Sequence, residues 1–170
     1  MESPPLPLTR QDAAATTAAS PEDGLKMAGL VAPEIIAACE QAVLRLYHAL
    51  DRADYAAVLA QFAAEGTWQR GPALLRGRQQ ILAALEKRSA TQVIRHVASN
   101  FLWSARDGQE VMAAFYLTVY HFDAGAPVAL PVAIDRPFLA GDAACRLTCE
   151  ADGRWRIRHM AFDRVFEFPA

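Results

Sequence analysis

Two histidines and one aspartate are the residues best suited to moving a proton. "TQVIRHVASNFLW", residues 91–103, alternates like a β-strand, and His96 is in phase with Ile94, Ala98, Asn100 and Leu102. Val93, Val97, Phe101 and Trp103 fall on the opposite face. In "VMAAFYLTVYHFD", His121 is in phase with Val111, Ala113, Phe115, Leu117 and Val119. Two neighbouring strands thus each set one imidazole on a largely apolar face. Asp51 follows Tyr47 by four residues, so the two share one side of a helix at the edge of its apolar stripe. A neutral imidazole takes up a proton near physiological pH, and a carboxylate beside it fixes its tautomer and supports its charged form. Asp51, His96 and His121 are therefore the candidate catalytic residues, for general acid–base chemistry. Each has a plainer alternative. Asp51 could end one helix and help start the next, and a histidine on a strand face is often a hydrogen-bonded core residue. The same three side chains could ligate a metal, but no tight ligand spacing joins them, so neither a metal nor another cofactor is expected.

The elements that must position these residues follow from periodicity. "PEIIAACEQAVLRLYHALD" places Ile36, Cys39, Val43, Leu46/Tyr47 and Leu50 at helical spacing, with Pro33 and Glu34 suited to a first turn. Asp54 can cap a short second helix, "DYAAVLAQF". "GTWQRG" reads as a short strand or turn, and "LRGRQQILAALEKRS" as a third helix that buries Ile81, Leu82 and Leu85. Strands are expected over about 91–104, 110–122, 127–138, 141–151 and 154–164. "ARDGQ" and "EADGR" supply Asp-Gly turn signals. Three helices followed by antiparallel strands make an α+β fold. One curved, mostly antiparallel sheet would wrap the helices as a cone-shaped barrel around an apolar cavity. His48 reads as a surface residue and His159 as a satisfied sheet histidine on the face of Trp155 and Ile157.

Composition narrows the function. The chain has 170 residues, 53% of them hydrophobic, and a formal net charge of −2. That suits one domain, expected over residues 31–170, and it lacks the basic stripe of a nucleic-acid binder. Residues 1–30 lack periodicity and read as a disordered extension, with neither the basic start nor the apolar run of a secretory signal. No apolar run is long enough for a membrane span. Cys39, Cys145 and Cys149 form no disulfide framework and read as buried free thiols, which points to a cytoplasmic location. There is no Gly-rich phosphate loop and no G-x-S-x-G elbow.

From Pro33 onward the order of elements resembles the nuclear transport factor 2-like superfamily, in its SnoaL-like branch. "YHALDRADYAAVLAQFAAEGTWQRG", "LRGRQQILAAL" and "RHVASNFLW" carry the resemblance. Within that branch the motifs are most similar to the scytalone dehydratases. "ALDRADYA" resembles their first-helix motif at Asp51, "RHVASNFLW" the strand of one histidine at His96, and "LTVYH" the strand of a second at His121. "DGRWRI" is similar to the entry to their last strand. The resemblance implies a cystatin-like α+β fold and a lyase or isomerase acting beside a carbonyl. It also implies a pocket lined by Tyr47, Trp68, Asn100, Phe115, Val119, Met160 and Phe162. The substrate implied is small and hydrophobic, aromatic or polyketide-like. The departures fall on the carbonyl-polarising half of the site. Two tyrosines of those enzymes correspond to Leu50 and Arg70, an asparagine falls near Ala144 and a serine near Asp142. A different substrate is therefore expected. Non-catalytic alternatives are a ligand-binding protein and the small subunit of a ring-hydroxylating dioxygenase. A homodimer, or a trimer, is expected through the outer sheet face, where Val97, Phe101, Trp103, Tyr116 and Tyr120 would lie.

Overall fold

A computed structural model of the chain describes residues 30–105 and 109–168. The extension expected at the N-terminus lies, through residue 29, outside the described residues, as does the 106–108 part of the first Asp-Gly turn. Helix α1 spans Pro33–Leu50, with Pro33 in its first turn. It buries Cys39, Ala42, Val43, Leu46, Tyr47, Ala49 and Leu50, the stripe that helical spacing requires. Asp54, not Asp51, caps α2 (Tyr55–Ala60): its Oδ1 accepts from the Ala57 backbone N–H at 3.0 Å. That leaves the Asp51 carboxylate free for another partner.

Strand β1 (Phe62–Arg70) turns back through β2 (Ala73–Arg76) into α3 (Gly77–Leu85). The third helix is shorter than its sequence pattern suggests, because Leu75 and Arg76 are taken by the β1–β2 pairing. Strands β3 (Val93–Ala105), β4 (Glu110–Phe122), β5 (Leu139–Cys149) and β6 (Trp155–Glu167) complete the sheet. The order is β2-β1-β6-β5-β4-β3, with every pairing antiparallel except β1–β6. The sheet is curved and does not close: β2 and β3 are its edges. One face carries the core, where Phe62, Phe115, Leu147, Ile157 and Met160 meet Val43, Leu46 and Val58 of the helices and Ile81 and Leu85 of α3.

Three expectations about the strands are corrected. Residues 127–138 are not a strand but part of an irregular connection between β4 and β5. Their sequence alternates, yet Pro127, Pro131 and Pro137 have no N–H to give a ladder. The second correction concerns β3. Between Ser99 and Leu102 its pairing with β4 slips, and Asn100 takes a left-handed backbone at φ 57°. This β-bulge reverses the alternation. Phe101 and Trp103 turn inward against the core, with Phe101 stacked on Phe115 at 4.7 Å between ring centroids and Trp103 stacked on Phe101 at 5.5 Å, and Leu102 turns outward at 69% exposure. A similar slip in β6 between Ile157 and His159 puts His159 on the outer face, opposite Arg146 and away from Ile157.

Candidate functional site

The end of α1 lies against edge strand β3. An edge strand has backbone groups that no neighbouring strand satisfies. The Asp51 Oδ2 accepts the His96 backbone N–H at 3.2 Å, and its Oδ1 lies 2.6 Å from His96 Nδ1. One carboxylate thus grips both the strand and its imidazole. Both side chains are about nine-tenths buried. A carboxylate accepts only, so Nδ1 carries the proton and Nε2 is left with its lone pair. Nε2 makes no hydrogen bond among the described residues, and no fully buried polar side-chain atom among them lacks a partner. Nε2 therefore keeps an unshared lone pair, which a proton acceptor requires.

Aromatic packing holds the ring. Tyr47, one turn before Asp51, stacks on His96 at 5.2 Å and 23°, and meets Phe115 edge-on at 6.3 Å. Its hydroxyl donates to the Met160 Sδ at 3.9 Å, a weak acceptor, and burial pushes its pKa up. Tyr47, Phe115, Phe101 and Met160 occupy the inner face beside His96, where an open cavity was expected.

The remaining candidates are spread more widely. The β3–β4 register pairs His96 with Val119 and Ile94 with His121, so both histidines are on the inner face as diagonal neighbours. His121 makes no hydrogen bond to Asp51 or His96 among the described residues. Its ring lies 5.2 Å from Phe138, and it borders a hollow of about 60 Å³ together with Val132 and Ile134 of the β4–β5 connection. Val119 and Met160 are buried, and Phe162 packs partly buried beside them. Trp68 is buried against Phe62 on β1, at the other side of the sheet. Asn100 is exposed, at the bulge. Of the substituted positions, Leu50 is core, while Asp142 and Ala144 are exposed on the outer face of β5.

The other titratable groups have structural explanations. His48 is exposed beside Arg52. His159 Nδ1 lies 2.8 Å from Thr67 Oγ1, and burial, with the positive Arg146 nearby, holds its pKa below the ordinary imidazole value. Cys39 and Cys145 are buried, with their thiols pushed up to about 12, whereas Cys149 is exposed. Among the described residues no cluster of three His, Cys, Asp or Glu could hold a metal, and no helix is long and apolar enough to cross a membrane.

Sequence reasoning passed over Arg88. Its Nη1 donates to the Leu50 carbonyl at 2.9 Å, next to Asp51. Nothing in its local sequence, a loop after α3, sets it apart from other surface arginines.

Solved structures place this architecture. A cystatin-like protein from Nostoc punctiforme superposes with a TM-score of 0.66 at 17% identity, covering 82% of this chain and 97% of its own. A provisionally named scytalone dehydratase from Novosphingobium aromaticivorans gives 0.67 at 16% identity, covering 81% and 89%. A Catenulispora acidiphila protein in complex with S-DNPA gives 0.62 at 20%, covering 78% and 95%. These likenesses establish the fold. No curated protein sequence matches the chain. Residues 33–161 match the SnoaL-like domain, so the chain belongs to that family, within the nuclear transport factor 2-like superfamily, which includes isomerase- and dehydratase-type enzymes.

Proposed function

We propose that the protein is a small-molecule lyase or isomerase that uses Asp51 and His96 as one acid–base unit, without a metal. The observation that carries this reading is the 2.6 Å contact of Asp51 Oδ1 with His96 Nδ1, which leaves Nε2 open. Nε2 takes a proton from the carbon beside a substrate carbonyl, and Asp51 stabilises the imidazolium that forms. The proton then returns either to a departing hydroxyl, with loss of water, or to another carbon. Such assistance is typically worth about 10²–10⁴-fold in rate. His121, on the same face of the next strand, is the second donor. Phe115, Val119, Met160 and Phe162 supply apolar wall, Tyr47 closes over the reacting group, and Trp68 and Asn100 contact more distant parts of the ligand. The substrate is small and hydrophobic, aromatic or polyketide-like. The S-DNPA complex of the Catenulispora protein and the name of the Novosphingobium one support a ligand-bearing, dehydratase-type reading.

The test is solvent-deuterium incorporation into a panel of aromatic-fused β-hydroxy ketones, followed by mass spectrometry. The native chain is expected to accelerate exchange at the carbon beside the carbonyl, and His96→Ala to abolish it. Equal exchange by both would sink the proposal. The rings that fill the inner face favour one second reading, a binding protein without turnover. Saturable binding with no exchange would select it.

The same reading places the protein in the cytoplasm as a homodimer. Val97, Leu102, Tyr116 and Phe166 are all exposed on the outer side, a patch that a second copy would cover.

A further inference from the structure

The outer face of the sheet carries opposite charges on either side of a middle of small side chains. The registers of β4, β5 and β6 set three rows across it. Tyr116, Asp142 and Asp163 are Cα partners in the first row. Ala114, Ala144 and Ala161 are partners in the second, and Met112, Arg146 and His159 in the third. Tyr116, Asp142 and Asp163 are exposed, and Met112, Arg146 and His159 are half-buried. Two carboxylates directly opposite each other on neighbouring strands repel. No ion pair among the described residues offsets this, since Asp142, Asp163 and Arg146 form none. Asp142 and Arg146 are four residues apart on β5, about 13 Å at the rise of a strand, and so too far apart to pair with each other.

We propose that a second copy of this chain covers the face about a two-fold axis running across the strands along the alanine row, so that Asp142 meets the partner's Arg146 and Asp163 meets the partner's His159. This rests on the reading of the protein as a homodimer, and it names the surface and the register. An axis in that direction lays β5 antiparallel on the β5 of the second copy. The acidic row of each copy then faces the row that holds the cation, on both sides of the axis, as an isologous contact requires. His159 has its Nδ1 against Thr67, which leaves Nε2 for the carboxylate. Tyr116 meets the partner's Met112, a favourable ring–sulfur contact. The alanines fall on the axis, where short side chains let the faces close to the roughly 10 Å of packed sheets. Leu102, the β3 partner of Ala114, extends that row and gains cover for a side chain that is 69% exposed. The other face-to-face two-fold, along the strands, returns each row to itself and sets carboxylates against carboxylates. Charge therefore selects the axis across the strands.

Full-length chains are compared by light scattering and native mass spectrometry at micromolar concentration: the native chain, Arg146→Asp, and the double variant Asp142→Arg with Asp163→Arg. The native chain is expected as a dimer. Each variant carries charge of one sign on both rows and should self-associate at least about tenfold more weakly, because like charges are then juxtaposed. An equimolar mixture of the two variants should restore association as a mixed dimer, since every acidic row again meets a basic one. That recovery also shows both variants to be folded. Arg146→Gln and Asp142→Asn, milder changes at the same positions, should each weaken the native dimer, and no effect of either overturns the pairing. Variants that self-associate as tightly as the native chain overturn the pairing and leave the dimer standing on another surface. Variants that are monomeric alone and also in the mixture, with native circular dichroism, overturn it as well. A native chain that stays monomeric removes the dimer and this register together.

Discussion

At the scale of single residues, the Asp51 carboxylate ties the end of α1 to the ring and the backbone of His96. It was readable as a candidate because a helix end and a strand alternation are both local patterns. Its partner could not be read, since nothing local says that the end of α1 meets the free edge of β3. The grip on both the ring and the backbone of His96 predicts coupling. Asp51→Asn and His96→Ala should each abolish most turnover, and the double variant should be little worse than either, as for residues that act as a unit. Rates from the deuterium-exchange assay would check this; losses that multiplied would mean two independent contributions. Arg88 was illegible for a related reason: only the fold brings its guanidinium to the Leu50 carbonyl, next to Asp51. His159 gives a pH prediction. Its folded pKa is depressed by burial and by Arg146, whereas an unfolded imidazole titrates near about 6.5. Protonation of the unfolded chain therefore lowers stability as pH falls from about 6.5 through the lower folded value. His159→Gln should flatten that part of the stability curve, read as urea midpoints at several pH values between 7.5 and 5. An unchanged slope would exclude His159 as its source.

At the scale of elements, most of the order is legible in the sequence. Amphipathic spacing marks α1, and alternation marks β3 to β6. What escapes is decided by one or two residues. Asn100 reverses a face by adopting a left-handed backbone, which Asn tolerates better than most residues. A face assignment made from strict alternation therefore put Phe101 and Trp103 outside. Residues 127–138 mislead in the opposite direction, with an alternating pattern interrupted by prolines. The bulge predicts that Asn100→Gly is close to neutral. Asn100→Val should cost about 1–2 kcal/mol, because a β-branched residue resists that conformation. Urea denaturation separates the two, and equal stabilities would place Asn100 outside the left-handed region. Where β5 crosses β6, Gly141 has no room for a side chain: a Cβ there would stand 2.1 Å from the Asp163 carbonyl oxygen. Gly141→Ala must push the strands apart and should lower the melting temperature by several degrees.

At the scale of the whole molecule, the curved sheet has one face filled by helices and one left open. Along the open face Tyr116 stands opposite Asp142, which in turn stands opposite Asp163, so an acidic pair borders the apolar patch. Tyr116 is 56% exposed. If a second copy covers this patch, light scattering at micromolar concentration should give twice the chain mass, and Tyr116→Glu should return it to that of one chain. A native chain that scatters as a monomer would contradict the dimer. The inward turn of Phe101 and Trp103 makes the patch smaller than the sequence suggested. It also thickens the aromatic packing that holds His96 and Tyr47 in place.

The central claim is that Asp51 holds His96 in one tautomer with Nε2 ready to accept a proton. Long-range ¹H–¹⁵N correlation of the full chain, labelled with ¹⁵N-histidine, reads this directly at neutral pH. The expected spectrum shows His96 as the Nδ1–H tautomer with an unprotonated Nε2, giving way to a mixture of tautomers in Asp51→Asn. A His96 protonated at Nε2 and bare at Nδ1, or a tautomer unchanged by Asp51→Asn, would contradict it.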